Sequence, residues 1–135
     1  MKAYRVMKEV HFCYGHRLLN YDGKCQYLHG HNARVQIILA ASACDARGMV
    51  VDFGDIEKVI KKWLDENLDH KMILCLEDPL IEAFKKWKQP VYIMEENPTA
   101  EAIAKLIFHI LKKNKFPVEE ILFWETPSSY ASYRE

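Results

Sequence analysis

The sequence has no excess of charge of either sign, because 19 Lys and Arg residues balance 19 Asp and Glu residues. This balance argues against electrostatic capture of nucleic acid or of an anionic membrane, and it favours a small or localised polar partner. No apolar run approaches the roughly 20 residues of a membrane span, and residues 1–5 lead into strand-like sequence without the apolar core of a signal peptide. We therefore expect a cytosolic protein.

The cysteine pattern argues against a disulfide framework and against a paired-cysteine zinc site. The four cysteines, Cys13, Cys25, Cys44 and Cys75, are irregularly spaced and form no Cys-x-x-Cys pair of the zinc-binding kind. In a cytosolic protein they are expected to be free thiols rather than disulfides. We interpret Cys44 and Cys75 as small buried apolar groups.

The chain also lacks internal repeats, linkers and low-complexity tracts. Its 135 residues, half of them apolar, suffice for one compact core and are too few for two comfortable domains. We expect a single domain over residues 1–135.

The segment His29-Gly30-His31 is the most informative feature of the sequence, since it follows Cys25 by four residues and begins an alternating apolar run. If residues 29–39 form a strand, both imidazoles lie on one face, roughly 7 Å apart along the strand. His16, at the end of an earlier strand-like segment, would complete a set of three. Three histidines with a fourth position open are the ligand arrangement of catalytic rather than structural zinc.

The apolar pattern predicts the elements that would carry these histidines. Alternation predicts a first strand with Val6, Val10, Phe12 and His16 on one face, and a second strand in which Ala33, Val35, Ile37 and Leu39 continue the parity of His29 and His31. A final strand is expected over residues 118–124. The three histidines are thus predicted to face inward.

Two amphipathic helices are expected between the strands. Asp52 is a good N-cap for the first, whose apolar stripe comprises Phe53, Ile56, Ile60, Trp63 and Leu64. The second begins near Asn97-Pro98-Thr99, and its stripe comprises Ile103, Leu106, Ile107, Ile110 and Leu111. Strands clustered around two such helices predict an α+β fold, an antiparallel sheet with helices on one face. The other face is either polar or buried by other subunits.

Six short stretches resemble, in order, the signature motifs of the 6-pyruvoyl-tetrahydropterin synthase family. They are Phe12 to Leu18, Cys25-x-x-x-His29-Gly30-His31-Asn32, Val51-Asp52-Phe53, Leu68-Asp69-His70, Asn97-Pro98-Thr99 and Glu125-Thr126. The match covers nearly the whole chain. The short length and the Lys24-Cys25 loop most resemble the bacterial 6-carboxy-5,6,7,8-tetrahydropterin synthases of queuosine biosynthesis.

The resemblance implies a tunnelling fold, in which subunits join their sheets into a trimeric β-barrel and two trimers stack as a hexamer with active sites between subunits. It implies 7,8-dihydroneopterin triphosphate as the small-molecule substrate and Zn²⁺ as the cofactor. His16, His29 and His31 resemble the zinc ligands, and zinc with an open position can act as a Lewis acid on the pterin's side chain.

The resemblance also implies roles for catalytic side chains. Cys25 resembles the residue that takes a proton from the substrate, which a thiol can do only as a thiolate. Asp69 and His70 resemble a relay pair in which a carboxylate orients an imidazole. Since neighbours in a strand face oppositely, this pair needs a turn or a helix end.

Two further positions resemble substrate-binding residues. Glu125 resembles the carboxylate that accepts hydrogen bonds from the pterin's ring nitrogen and amino group, and it is also a candidate member of the relay. Thr99 resembles a residue that lines the pterin pocket, although a threonine at a helix start is also an ordinary cap.

Several alternatives stay open at this stage. The product is either 6-carboxy-tetrahydropterin, formed with loss of triphosphate and acetaldehyde, or a 6-pyruvoyl or related pterin, and the same residues serve both. A non-catalytic, zinc-stabilised module is the competing interpretation from another class. Cys13 could be a fourth ligand, although its strand parity is opposite to that of His16. His11 and His109 are interpreted as structural, and Tyr27 and Leu28 are candidates for tuning side-chain choice.

Overall fold

Two long strands form the middle of the sheet in the computed structural model, which describes residues 2–135. Strand β1 spans Tyr4–His16 and β2 spans His29–Ala41. They pair antiparallel from Tyr4 opposite Ala41 to His16 opposite His29. The predicted alternation is confirmed, because the residues of one parity from Val10 to His16 are buried while those between them are half-buried or exposed.

Helices cover the face onto which these buried residues project. Helix α1 spans Phe53–Asn67, and α3 spans Ala100–Lys113, as expected from their stripes and caps. The Asp52 carboxylate accepts a hydrogen bond from the Gly54 N–H at 2.8 Å, which is the predicted cap of α1. Side chains from both helices join those of β1 and β2 in one buried cluster. The predicted α+β architecture, with helices on one face of a sheet, is confirmed.

Four further elements complete the fold and were not predicted. They are strand β3 (Lys71–Cys75), helix α2 (Leu80–Lys86), strand β4 (Val91–Met94) and strand β6 (Ser129–Arg134). Strand β5 spans Val118–Thr126 and so ends two residues later than predicted. The order of the strands in the sheet is β4-β3-β1-β2-β5-β6. β1, β2, β5 and β6 are antiparallel, whereas β3 joins β1 and β4 joins β3 in parallel. Parallel pairing needs a long connection, which β2 and α1 supply between β1 and β3.

The sheet face away from the helices carries a network of polar side chains. The indole N–H of Trp124 donates to Gln36 at 2.9 Å, and the Gln36 amide donates to Glu9 at 3.1 Å. The guanidinium of Arg34 lies 4.4 Å from the centre of the Trp124 ring. These contacts join β1, β2 and β5 across the uncovered face.

Across residues 2–135, none of the helices is long and apolar enough to cross a membrane.

The core contact of α1 predicts a stability effect. Leu64 is fully buried on α1, and Leu64→Ala should lower the free energy of unfolding by about 2–5 kcal/mol, through lost apolar burial and the cavity left behind. Urea unfolding followed by circular dichroism measures this loss. Lys62→Ala, at an exposed position of the same helix, is the matched control and should change the free energy by less than about 0.5 kcal/mol. Equal effects of the two substitutions would contradict the burial of this face.

Candidate metal centre and surrounding site

The register of β1 and β2 brings three histidines together at the end of the sheet. His16 lies opposite His29, and Tyr14 lies opposite His31, so all three imidazoles project from the same face. The ring centres are 4.5 Å apart for His16 and His29, 5.0 Å for His29 and His31, and 5.1 Å for His16 and His31. The sequence prediction that these residues share one face is confirmed.

Backbone carbonyl groups orient two of the three rings. The Nδ1 of His16 lies 2.7 Å from the carbonyl oxygen of Pro98, and the Nδ1 of His29 lies 2.7 Å from that of Tyr27. Because a carbonyl oxygen can only accept, each Nδ1 must carry the proton and donate it. The Nε2 atoms of these two rings are then left with free lone pairs.

The Nε2 atoms are buried without hydrogen-bond partners. Within residues 2–135 the Nε2 atoms of His16, His29 and His31 are the buried side-chain nitrogen and oxygen atoms that lack a partner. The three residues offer ligand atoms that all lie within 4.8 Å of one another. Buried polar atoms are almost always paired, so three converging unpaired nitrogens need a shared partner. A metal ion fits this requirement, and three imidazoles with an open fourth position suit zinc.

The protonation of the rings agrees with a ligand role. Burial lowers the pKa of His16, partly opposed by the Pro98 carbonyl and the charge of Glu125. Burial likewise lowers the pKa of His31, again against the opposing charge of Glu125. Both shifts favour neutral imidazole, which is the form that binds metals.

Glu125 approaches the cluster from the end of β5. Its carboxylate oxygens lie 3.6 Å from the Nε2 of His31 and 3.9 Å from that of His16. These distances are too long for hydrogen bonds, and an anion facing nitrogen lone pairs is stabilised only if a cation or proton lies between them. The carboxylate is therefore a second observation that fits a cation at this point.

Tyr14 supports both Glu125 and the histidines, and the sequence analysis did not identify it. Its hydroxyl donates to Glu125 at 3.3 Å, and its ring centre lies 5.0 Å from that of His16 and 5.6 Å from that of His31. Burial, together with the charge of Glu125, raises the pKa of Tyr14, so the phenol stays a donor. The strand parity that links Tyr14 with His16 was the signal that could have found it.

Cys25 lies in the segment that connects the two histidine-bearing strands. It occupies a short 3₁₀ turn, Lys24–Gln26, and is half-buried. Its carbonyl oxygen accepts a hydrogen bond from the Leu18 N–H at 2.8 Å, which closes the loop upon itself. All four cysteines are free, as predicted, with Cys75 buried and Cys44 half-buried.

Asp69 and His70 lie in the turn that ends α1, as their adjacency requires. The Asp69 carboxylate accepts hydrogen bonds from the Cys13 N–H and from the His70 ring, each at 3.0 Å. Burial raises the pKa of Asp69, but these two bonds outweigh it and the net pKa is lowered. His70 has a left-handed backbone (φ 60°), and its side chain is 79% exposed.

The structure does not bring this pair to the histidine cluster of the same chain. Asp69 and His70 lie beside Cys13, within 4.8 Å between potential ligand atoms. Cys13 projects to the face opposite that of Tyr14 and His16, so it is not a fourth ligand of the cluster. Both oxygens of Asp69 already accept hydrogen bonds, whereas the Nε2 atoms of the histidine cluster accept none, so the cluster is the better metal site.

Thr99 is the N-cap of α3. Its hydroxyl accepts a hydrogen bond from the Ala102 N–H at 3.1 Å. This contact is the structural role that the sequence analysis weighed beside a place in the pterin pocket.

Comparison with known proteins agrees with this architecture. The family model for 6-pyruvoyl tetrahydropterin synthase matches residues 5–135. The chain belongs to this family. It is 40% identical to a 6-carboxy-5,6,7,8-tetrahydropterin synthase of Rickettsia bellii and 38% identical to that of Rickettsia felis, with 93% of this chain and 96% of each relative covered. The fold is also that of the 6-pyruvoyl tetrahydropterin synthase of Caenorhabditis elegans, with a TM-score of 0.70 at 23% identity, covering 100% of this chain and 99% of that one.

The family membership confirms the predicted class of protein. The chain is an enzyme of the tetrahydropterin synthase type, which is a lyase.

The three-histidine cluster predicts a specific metal-binding defect. His29→Ala removes one of three ligands and should weaken zinc binding by roughly 100-fold or more, as measured by chelator competition. The matched control is His11→Ala, which removes an exposed imidazole from the other face of the same sheet. The circular dichroism spectrum should stay native in both, because a catalytic metal can be removed from a preformed fold. Unchanged zinc affinity would contradict the ligand assignment, and an unfolded His29→Ala protein would favour a structural zinc.

Proposed function

We propose that the protein is a zinc-dependent 6-carboxy-5,6,7,8-tetrahydropterin synthase. It converts 7,8-dihydroneopterin triphosphate to 6-carboxy-tetrahydropterin, acetaldehyde and triphosphate, in the cytoplasm, as a step of queuosine biosynthesis. The observation that carries the proposal is the set of three buried, unpaired Nε2 atoms beside Glu125. Its support is the chain's similarity to relatives that bear this enzyme's name.

The chain's own residues define a binding mode for the pterin. Glu125 accepts hydrogen bonds from a ring nitrogen and the amino group of the heterocycle, which is a bidentate pairing. The Tyr14 hydroxyl holds one carboxylate oxygen and so fixes the direction of the other. Thr99, at the start of α3, lines the pocket. The pterin's side chain then points towards His16, His29 and His31.

These three histidines would hold the zinc ion. When bound, zinc supplies Lewis acidity that makes protons on the substrate's side chain easier to remove.

The proton transfers are assigned to Cys25 and to the Asp69–His70 pair. The Cys25 Sγ takes the proton as a thiolate, since the neutral thiol is not a base. His70 gives and receives protons, and Asp69 holds the ring through its Nδ1. The exposed position of His70 leaves its Nε2 available to a substrate.

The placement of this pair supports an active site between subunits. Within one chain, Asp69 and His70 lie beside Cys13, whose side chain projects to the sheet face opposite the histidine cluster. A neighbouring subunit can supply them, as in the proposed hexamer built from two trimeric barrels. Such an assembly also covers the polar sheet face.

Product analysis tests the proposed reaction. The zinc-loaded protein, given 7,8-dihydroneopterin triphosphate, should form 6-carboxy-tetrahydropterin and acetaldehyde, identified by mass spectrometry. Cys25→Ala should retain zinc and bind pterin but lose turnover by at least about 100-fold, the scale of a positioned acid–base group. Cys44→Ala, which removes another half-buried thiol, is the matched control.

Each other outcome of this assay has a defined meaning. A 6-pyruvoyl product would replace the proposed reaction by triphosphate elimination alone. Absence of turnover in the wild-type protein would favour a non-catalytic zinc module. Full turnover by Cys25→Ala would remove the thiol from the mechanism.

Subunit mixing tests the shared active site. Cys25→Ala and His70→Ala should each have little activity alone. If one site takes Cys25 from one subunit and His70 from another, an equal, randomly assembled mixture restores both residues in about a quarter of sites. Turnover should then recover after the variants are co-expressed. Lack of recovery in verified hybrid oligomers would place both residues in one protomer's site.

A further inference from the structure

The side chain of Asn97 holds the loop that carries Cys25. Its Oδ1 accepts a hydrogen bond from the Leu19 N–H at 2.9 Å, and its Nδ2 donates to the Leu19 carbonyl at 2.8 Å. The two residues are 78 positions apart in the sequence. Both backbone groups of one loop residue are therefore satisfied by a single amide side chain.

The residues that follow Asn97 contact the metal site and α3. The Pro98 carbonyl accepts from the Nδ1 of His16 at 2.7 Å, and Thr99 caps α3. His16 and Pro98 are both buried. Residues 97–99 therefore connect one histidine, one loop and one helix.

The Cys25 loop has other anchors, one of which is the Tyr27 carbonyl, which accepts a hydrogen bond from the Nδ1 of His29 at 2.7 Å. Within the loop, Leu18 donates to the Cys25 carbonyl at 2.8 Å. At its start, the Arg17 guanidinium donates to the carboxylate of Asp78 at 2.8 and 2.6 Å, and the Asp78 side chain is fully buried. Leu19 follows Leu18, which is bonded to Cys25. The contact between Asn97 and Leu19 therefore connects this part of the loop with residues 97–99, which lie beside His16.

We propose that Asn97 is a positioning residue that fixes the Cys25 loop against the three-histidine cluster. This inference rests on the proposed role of Cys25 as the proton acceptor. A base must be held close to the proton that it removes, and a displacement of about 1 Å can cost roughly 100-fold in rate. Asn97 supplies that constraint, because the segment that bonds Leu19 also orients His16.

The amide of Asn97 is required for this role. An aspartate has the same shape and can still accept from the Leu19 N–H, but its second oxygen would face the Leu19 carbonyl without a proton to donate. Asn97→Asp therefore removes one hydrogen bond and adds a repulsion. The position precedes α3, where a negative charge is favourable, so the fold should tolerate the change.

The experiment compares Asn97→Asp with Asn114→Asp in the zinc-loaded protein. Asn114 lies at the other end of α3, and its amide donates to the Ile110 carbonyl at 2.8 Å. The control therefore makes the same change in charge and also loses an amide hydrogen bond. Zinc content, kcat, KM and the rate of iodoacetamide alkylation at Cys25 are measured, with alkylation of Cys44 as an internal reference.

In Asn97→Asp we expect Cys25 to be alkylated roughly tenfold faster, which corresponds to the loss of one or two hydrogen bonds. The alkylation of Cys44 and the zinc content should not change. The kcat should fall by about tenfold or more, with KM close to that of the wild type. Asn114→Asp should leave all of these quantities unchanged.

Two results would overturn the inference. One is alkylation of Cys25 at the same rate in both variants, and the other is faster alkylation with an unaltered kcat. If the wild-type protein makes no pterin product, the proposed function fails, while the alkylation rates still decide whether Asn97 orders the loop. If Asn97→Asp does not fold, Asn97→Ser, whose hydroxyl is too short to reach both Leu19 groups, takes its place.

Discussion

The antiparallel register of β1 and β2 is the constraint on which the site depends. With His16 opposite His29 and Tyr14 opposite His31, one face at the end of two strands carries three imidazoles and a phenol. A shift of a single residue would send the histidines of one strand to the other face. The long apolar alternation on both strands fixes the face that each residue occupies, since a one-residue shift would expose the buried Val10, Phe12, Val35 and Ile37. Core packing at one end of the sheet thus helps to keep the three histidines on one face at the other end.

The site concentrates polar atoms where the core would otherwise be apolar. Three buried nitrogens without partners are unfavourable in the protein alone. The Pro98 and Tyr27 carbonyls prevent two of the rings from turning their Nε2 atoms elsewhere. The arrangement is therefore prepared for a cation before it binds, and Glu125, held by Tyr14, adds a negative charge on the same side.

The sequence predicted the elements whose patterns are long and periodic. β1, β2, α1 and α3 have repeated apolar positions and recognisable caps, and the histidine face follows from parity. β3 was missed because residues 72–75 form a short continuous apolar run, which periodicity cannot distinguish from a buried helix. α2 is only seven residues long, too short for a stripe, and β6 is an edge strand of mostly exposed residues. Strand parity placed Tyr14 on the histidine face, but its contact with Glu125, and that of Asn97 with Leu19, join residues distant in sequence, for which a single chain has no local signal.

The position of Asp69 and His70 bears on the proposed sharing of the active site between subunits. The turn that ends α1 is tied to β1 through Cys13, whose N–H donates to Asp69 and whose carbonyl accepts from the His70 N–H. Cys13 projects to the face opposite His16, so β1 carries one proposed metal ligand on one face and contacts the proposed relay pair through Cys13. On the proposed mechanism, a neighbouring subunit supplies Asp69 and His70, because Cys13, which they contact, projects away from His16. Assembly would then be a condition of catalysis as well as a source of stability, and it would cover the sheet face away from the helices.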